Sequence, residues 1–245
     1  MDRVKELERI LAVNGIPLPG EKAFFSLVRF YDLVTEKNKV MNLTAITDFR
    51  EFSLKHFADS LSLLKLYDIN NKAVIDVGTG AGFPGIPLAV CCPDSRFTLI
   101  DSLKKRIDFL SDAVSELGLS NVTLLHSRAE DAGRDQALRE NFDLAVSRAV
   151  AGLSTLVEYT LPFVKPGGVF VAYKGPNAAS EIAGSANALK TLSSRIDHFH
   201  SFDLCFNPDD TEEEKSQRTL LFVSKIDRIS KQYPRSSAKI SKNPL

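Results

Sequence analysis

The chain has 245 residues, with 31 basic against 31 acidic side chains, 44% hydrophobic residues, 13 glycines and 11 prolines, which excludes fibrous, collagen-like and wholly disordered classes. A chain of this length buries about 70% of the surface its unfolded form exposes, so its apolar core needs neither disulfides nor a structural metal. The balanced charge argues against a generic nucleic-acid clamp while leaving room for a local basic patch.

Cys91, Cys92 and Cys205 form no CxxC pair, a pattern that suits neither a disulfide framework nor a tetrahedral zinc site and predicts a reducing compartment with no metal. The opening residues alternate charged and apolar side chains, so no secretory leader is expected. No uncharged apolar stretch reaches the roughly 18 residues that span a bilayer. A cytoplasmic chain with no membrane anchor is therefore expected, and a monomer. Charge is uneven along it: Asp209 to Glu214 carries five acids, whereas Arg228, Lys231, Arg235, Lys239 and Lys242 punctuate an acid-free stretch to Leu245. A solvated loop and a frayed tail explain this as well as a binding surface does.

Residues 2–66 read as helical, because apolar residues recur at spacings of three and four. Val4, Leu7 and Leu11 form a first stripe, Phe24, Val28, Tyr31 and Val34 a second, and Leu54, Phe57, Ala58 and Leu61 a third. Asp48, three residues before Glu51, resembles a capping box for the third helix. From residue 73 short β-branched runs alternate with helical stretches, the pattern of a parallel sheet covered on both faces. The predicted strands are 73–77, 97–101, 122–126, 142–147 and 169–174, with a helix at 102–117 and another at 182–192. Runs 199–205 and 219–224 flank the acidic loop and predict an antiparallel pair at the sheet edge. The expected organisation is a helical extension over 1–66, an α/β domain over 67–226 and a basic tail over 227–245.

The first strand runs into Asp76-Val77-Gly78-Thr79-Gly80-Ala81-Gly82-Phe83-Pro84-Gly85. Glycines remove the Cβ atoms that keep a ligand off the backbone, and open α/β sheets bind ligands at this carboxyl edge. The second strand ends at Asp101, about 20 residues beyond the loop, the spacing of an acid that hydrogen-bonds ribose hydroxyls. Loop and acid together predict a nucleoside ligand. Counted from Gly78, the pattern GxGxxG puts Phe83 where a dinucleotide site needs a small residue, which disfavours NAD. S-adenosylmethionine carries the ribose and adenine without a pyrophosphate, and Asp76 adds a carboxylate suited to face its amino group. After the third strand, Ser127-Arg128-Ala129-Glu130-Asp131 fits either an acid that holds an exocyclic amine of adenine or a helix N-cap cluster. After the fourth, Ser147-Arg148-Ala149 lies where a methyl acceptor would sit, with Arg148 readable as a functional residue or as an ordinary rim ion pair.

These segments resemble the RsmG (GidB) family of bacterial 16S ribosomal RNA guanine-N7 methyltransferases. The resemblance runs through Met41-Asn42-Leu43-Thr44, His56 with Asp59-Ser60, the 76–85 loop, Asp101-Ser102, Lys104-Lys105-Arg106, Arg128-Ala129-Glu130, Ser147-Arg148-Ala149, Lys174-Gly175, Tyr233-Pro234-Arg235 and Asn243-Pro244-Leu245. It departs from the family after Tyr-Pro-Arg, where Ser236-Ser237-Ala238-Lys239-Ile240 replaces a stretch that commonly holds glycine and a further proline. The resemblance implies a class I S-adenosylmethionine-dependent methyltransferase, Rossmann-like, that methylates N7 of guanine 527 in 16S ribosomal RNA or the small subunit. It implies that Gly78, Phe83, Ala129, Glu130 and Arg148 contact S-adenosyl-L-methionine and that Asp101, Ser102 and Leu103 line its ribose. With Asp76 and Gly80 from the loop, these complete the expected cofactor set.

Guanine N7 already presents a lone pair, so catalysis needs alignment rather than a general base. Arg148 is then the candidate catalytic residue, packing at the cofactor and steering the guanine through O6 or a phosphate, because a bond to N7 would occupy the attacking lone pair. Lys104, Lys105 and Arg106, with Lys174 and Arg235, are candidate RNA contacts, although a solvated helix face explains the triplet equally well. His56 reads as packing and is assigned no role, while Asn42 fits either a loop that covers the cleft or a turn-stabilising side chain. Other readings are a methyltransferase for another RNA or a small molecule, a cofactor-sensing RNA-binding module without turnover and, most weakly supported, a nicotinamide dehydrogenase.

Overall fold

The computed structural model describes residues 2–176 and 178–245. Helices come first, as the apolar spacing predicts. The Asp2 carboxylate accepts the Val4 N–H at 3.1 Å to cap α1 (Arg3–Val13), which buries Leu7, Ile10 and Leu11. α2 (Glu21–Met41) buries Phe24, Leu27, Phe30 and Val34. It ends at Asn42, whose φ of 50° is the left-handed cap that asparagine tolerates. Asp48 caps α3 (Phe49–Phe52) by accepting the Glu51 N–H at 2.9 Å. Glu51 does not return the bond of a full capping box; its carboxylate pairs with Lys55 at 2.6 Å.

The third predicted helix is not uniform. It widens into a π-helical segment at Ser53–Ala58, resumes as α4 (Asp59–Leu61) and tightens into a 3₁₀ turn at Ser62–Lys65. Single π turns inside helices concentrate at functional sites, and this one carries His56.

The α/β part runs β1 (Ala73–Val77), α5 (Gly85–Cys91), β2 (Arg96–Asp101), α6 (Lys104–Glu116), β3 (Val122–His126), α7 (Ala129–Ala132), β4 (Phe142–Arg148), α8 (Leu153–Thr160) and β5 (Val164–Lys174). Then follow α9 (Ala178–Ala183), α10 (Ala186–Thr191), β6 (Ser194–Leu204), β7 (Ser216–Lys225) and α11 (Ser237–Lys242). The strands form one sheet in the order β3-β2-β1-β4-β5-β7-β6. β1 to β5 pair in parallel, and β7 runs antiparallel to both β5 and β6, so the expected mostly parallel sheet with an edge hairpin is present.

Two differences from the sequence reading have local causes. β5 begins five residues early because Gly168 lets it approach β4: an added Cβ would sit 2.8 Å from the Asp143 carbonyl oxygen, where the ladder slips register. The predicted 182–192 helix is two helices, because the Ser185 hydroxyl donates to the Ile182 carbonyl at 2.8 Å and, beside Gly184, competes with the backbone ladder.

Alternation along the strands sorts the core into two layers. Val74, Leu99, Leu144, Val146, Val171 and Phe222 join a cluster with α1, α2 and residues 52–63. Their neighbours Ile75, Val77, Ile100, Ala145, Phe170 and Val223 join Leu153, Leu156, Leu161 and Leu189 on the opposite face. The N-terminal helices therefore share one continuous apolar core with the sheet. The tail is tied down as well: Arg139 donates to the Ile229 and Tyr233 carbonyls at 2.9 and 2.8 Å, and α11 buries Ile240.

Candidate active site

A cleft of about 460 Å³ opens at the carboxyl ends of β1, β2 and β4. Gly78, Gly80, Phe83, Asp101, Ser102, Ala129, Glu130 and Arg148 all line it, together with Thr44, His56, Arg106 and Ser237. Asp76 and Leu103 do not.

Asp76 shapes the loop from beneath. One of its oxygens accepts the Thr79 hydroxyl at 2.7 Å and the Gly85 N–H at 2.9 Å, and burial pushes its carboxyl up to about 6 against those bonds. Gly85 is required there, since an added Cβ would lie 2.7 Å from that oxygen and 2.8 Å from Leu99. Gly78 and Gly80 take φ of 74° and 62°, a region that glycine enters without a steric penalty. Beyond Gly80 the space is open, whereas a Cβ on Gly78 would meet Val150 at 2.6 Å. The other Asp76 oxygen is buried with no hydrogen-bond partner among the described residues, so the acid expected to face a ligand's amino group braces the loop with one oxygen and keeps the other unpaired.

Asp101 is nearly saturated by the protein. It accepts the Gly80 N–H at 2.9 Å, the Leu103 N–H at 2.8 Å and Arg106 at 3.2 Å. A carboxylate offers about four lone-pair sites, so one remains while Arg106 stays and two when it swings away. Leu103 serves through its backbone, and its side chain is exposed. Glu130 is the reverse case: it is buried, its Oε1 has no hydrogen-bond partner among the described residues, and Arg128 stands 3.9 Å away. An orphaned buried carboxylate oxygen is costly and calls for a donor from a ligand.

Arg148 projects from the end of β4 into the π turn. It donates to the Lys55 carbonyl at 3.0 Å, to Asp59 at 2.9 Å and to His56 Nδ1 at 3.1 Å, while its guanidinium lies 5.2 Å from the centroid of Phe83. Phe83 in turn stacks on His56 at 4.7 Å with an interplanar angle of 18°. Burial, then the charges of Arg148, Arg218 and Lys55, pushes the His56 imidazole down to about 3, so it is neutral in the working range. Ala149 turns through a φ of 56°, a strained conformation for alanine that orients the wall behind Arg148.

That wall divides the first cleft from a second of about 670 Å³; His56, Arg148, Ala149 and Val150 line both. Lys55, Asp59, Tyr173, Lys174, Glu181 and Arg218 also line the second. Arg218 joins Arg148 on Asp59, at 3.3 Å.

The expected RNA contacts fare differently. Lys104 and Lys105 are exposed, Lys104 paired with Asp108 along its helix. Arg106 faces the cleft through Asp101. Lys174, with 9% of its side chain exposed, is held by Glu181 at 2.7 Å and the Ala151 carbonyl at 2.8 Å. Arg235 grips the fully buried Glu158 in a two-pronged pair of 2.9 and 2.6 Å. Both are internal ion-pair partners. The sequence reading took His56 as packing and gave Thr44 no role, although both fall in segments that carried the family resemblance. Among the described residues no cluster of three or more His, Cys, Asp or Glu is placed to hold a metal, and no helix is long and apolar enough to cross a membrane.

Residues 24–205 match the protein family described as rRNA small subunit methyltransferase G. A Clostridium beijerinckii protein named "Ribosomal RNA small subunit methyltransferase G" is 46% identical over 233 residues, 94% of each chain. A Lactobacillus johnsonii protein of the same name is 45% identical over 96% of each. Among solved structures, a SAM-dependent O-methyltransferase from Thermotoga maritima superposes with a TM-score of 0.53 at 16% identity, covering 80% of this chain and 72% of that one. M. jannaschii TYW2, solved in complex with AdoMet, gives 0.50 at 16% identity over 66% and 72%. These likenesses show the Rossmann-like methyltransferase fold.

Proposed function

The chain belongs to the rRNA small subunit methyltransferase G family, and on that premise we propose that it transfers a methyl group from S-adenosyl-L-methionine to N7 of guanine 527 in 16S ribosomal RNA. The cofactor fits the residues present. Glu130 offers its unpartnered oxygen to the exocyclic amine of adenine, Asp101 its remaining acceptor site to a ribose hydroxyl, and the bare backbone at Gly80 admits the nucleoside. Gly78, Phe83, Ser102, Ala129 and Arg148 complete the lining. When bound, the cofactor supplies an electrophilic methyl group on a sulfonium.

The observation that favours N7 over an atom that must first lose a proton is how the polar groups on the Arg148 side are occupied. Both nitrogens of His56 are engaged, by Arg148 and by Thr44, and Asp59 is shared between two arginines. His56 presents no bare nitrogen to a substrate, which favours an acceptor whose lone pair is already available. Guanine N7 meets that requirement. Arg148, rigidly held and 16% exposed, orients the base from the wall common to the two clefts. Lys55, Arg148, Lys174 and Arg218 outnumber Asp59 and Glu181 along the second cleft, a net positive lining suited to an RNA backbone.

The test is methylation of small-subunit RNA taken from cells lacking the protein, followed by chain cleavage specific for N7-methylguanine. One cleavage at guanine 527 is the expected result; a methyl group on another nucleotide or on an amino group defeats the proposal. We further propose that Lys104 and Lys105 contact phosphates. Replacing both with alanine is then expected to reduce the salt slope of RNA binding by about 0.7–0.9 per charge, read from affinities between low and moderate salt. An unchanged slope removes them from the interface.

A further inference from the structure

Thr44 sits in the loop between α2 and α3, held by its backbone. Asn38 accepts its N–H at 2.9 Å and donates to its carbonyl at 2.8 Å, so the residue is fixed at the cleft wall before any ligand arrives. Its hydroxyl oxygen has two neighbours: the Ile46 N–H donates to it at 3.0 Å, and His56 Nε2 lies 2.8 Å away.

The direction of the second bond follows from Arg148. A guanidinium has donors only, and it faces His56 Nδ1 at 3.1 Å, so Nδ1 carries a lone pair. A neutral imidazole with a bare Nδ1 bears its proton on Nε2, and that N–H donates to Thr44. Both lone pairs of the Thr44 oxygen are then filled. Its own hydrogen has no acceptor among the described residues, and the side chain lines the cleft.

We propose that the chain Arg148–His56–Thr44 is a polarity relay that turns the Thr44 hydroxyl into an obligate donor to an sp² oxygen of the bound ligands, making Thr44 a specificity residue and His56 its positioning residue. The oxygen is the carboxylate of the cofactor or the O6 carbonyl of the target purine; this rests on the methyltransfer reading above. The groups facing His56 keep the relay in one state: Arg148 from β4, Arg218 from β7 and Lys55 on its own turn all oppose protonation, with Asp59 drawn onto the two arginines. Phe83 closes the ring face. The relay can give a hydrogen bond and cannot take one, so ligands that present a donor at that point are refused.

The first test needs no substrate. With ¹⁵N-labelled histidine, the His56 ring is expected to show one protonated and one bare nitrogen, assigned as Nε2–H, unchanged from pH 6 to 8. An Nδ1–H tautomer or an imidazolium overturns the proposal, whether or not the protein methylates RNA. The second test compares Thr44→Val with Thr44→Ser. If the oxygen is the cofactor's, Thr44→Val binds S-adenosylhomocysteine about tenfold more weakly, the loss expected for one hydrogen bond, binds 5′-methylthioadenosine unchanged, and Thr44→Ser restores the difference. If the oxygen is the purine's, both nucleosides bind unchanged, kcat/KM for RNA drops about tenfold, and the drop vanishes on RNA carrying 2-aminopurine at the target. Equal losses for both nucleosides, or no loss in any measurement, overturn the assignment. Failure of the wild type to methylate any RNA defeats the functional reading alone, because the tautomer and the two nucleoside affinities are still measurable.

Discussion

Arg148→Ala is expected to lower kcat/KM for RNA methylation by at least about 100-fold, because a misplacement of roughly 1 Å at a reacting centre is enough to cost that much. The guanidinium makes three hydrogen bonds and covers Phe83, so its removal frees the base from its orienting group and His56 from its fixed tautomer. The fold is expected to survive, since Asp59 keeps Arg218 as a counter-charge. Arg148→Lys is expected to recover only part of the rate, because an ammonium cannot reproduce a planar fork aimed at an oxygen and an imidazole nitrogen at once. Initial rates with labelled cofactor, set beside denaturant unfolding of each variant, check this. Turnover within threefold of the wild type would strip Arg148 of its role.

The largest effect on stability is expected at the other end of the chain. Arg235→Ala leaves Glu158, fully buried on α8, with a single N–H donor in place of a guanidinium. Removing one partner of a buried ion pair typically costs about 3–5 kcal/mol, because the remaining charge has lost both water and its neutralising partner. For a chain of this size that corresponds to a melting temperature lower by roughly 6–20 °C. Glu158→Leu combined with Arg235→Met is expected to regain most of it, since an apolar pair of similar volume carries no desolvation penalty. Urea unfolding curves for the single and double variants decide the matter; a loss under about 1 kcal/mol in the single variant would mean that water reaches Glu158. The same variants separate stability from binding, since an arginine committed to Glu158 is not expected to alter the salt slope for RNA.

What the sequence disclosed and what it withheld divide along chain distance. The five parallel strands, the 76–85 loop and Asp101 were legible because each rests on a local rule: β-branched runs, glycines at a turn and a fixed spacing to the next strand. The polar partnerships were not. Lys174 and Arg235 read as candidate RNA contacts because Glu181 and Glu158 reach them only in the folded chain. Asp76 read as a ligand group, and nothing in its neighbours' spacing says that Gly85 folds back to hydrogen-bond one of its oxygens while the other stays unpaired. His56 read as packing, which its stacking on Phe83 makes half true. The π turn that brings its Nδ1 to Arg148 leaves no mark in the apolar periodicity, since one extra residue per turn is invisible among short stripes.

The cleft draws on Leu43 and Thr44, which follow the second helix, and on Ser237 at the start of the last. A molecule held between them is therefore a noncovalent clasp joining segments from opposite ends of the sequence. Occupancy is expected to slow amide exchange in the opening helices and in the closing tail together, a coupling that exchange measured with and without the donor would reveal.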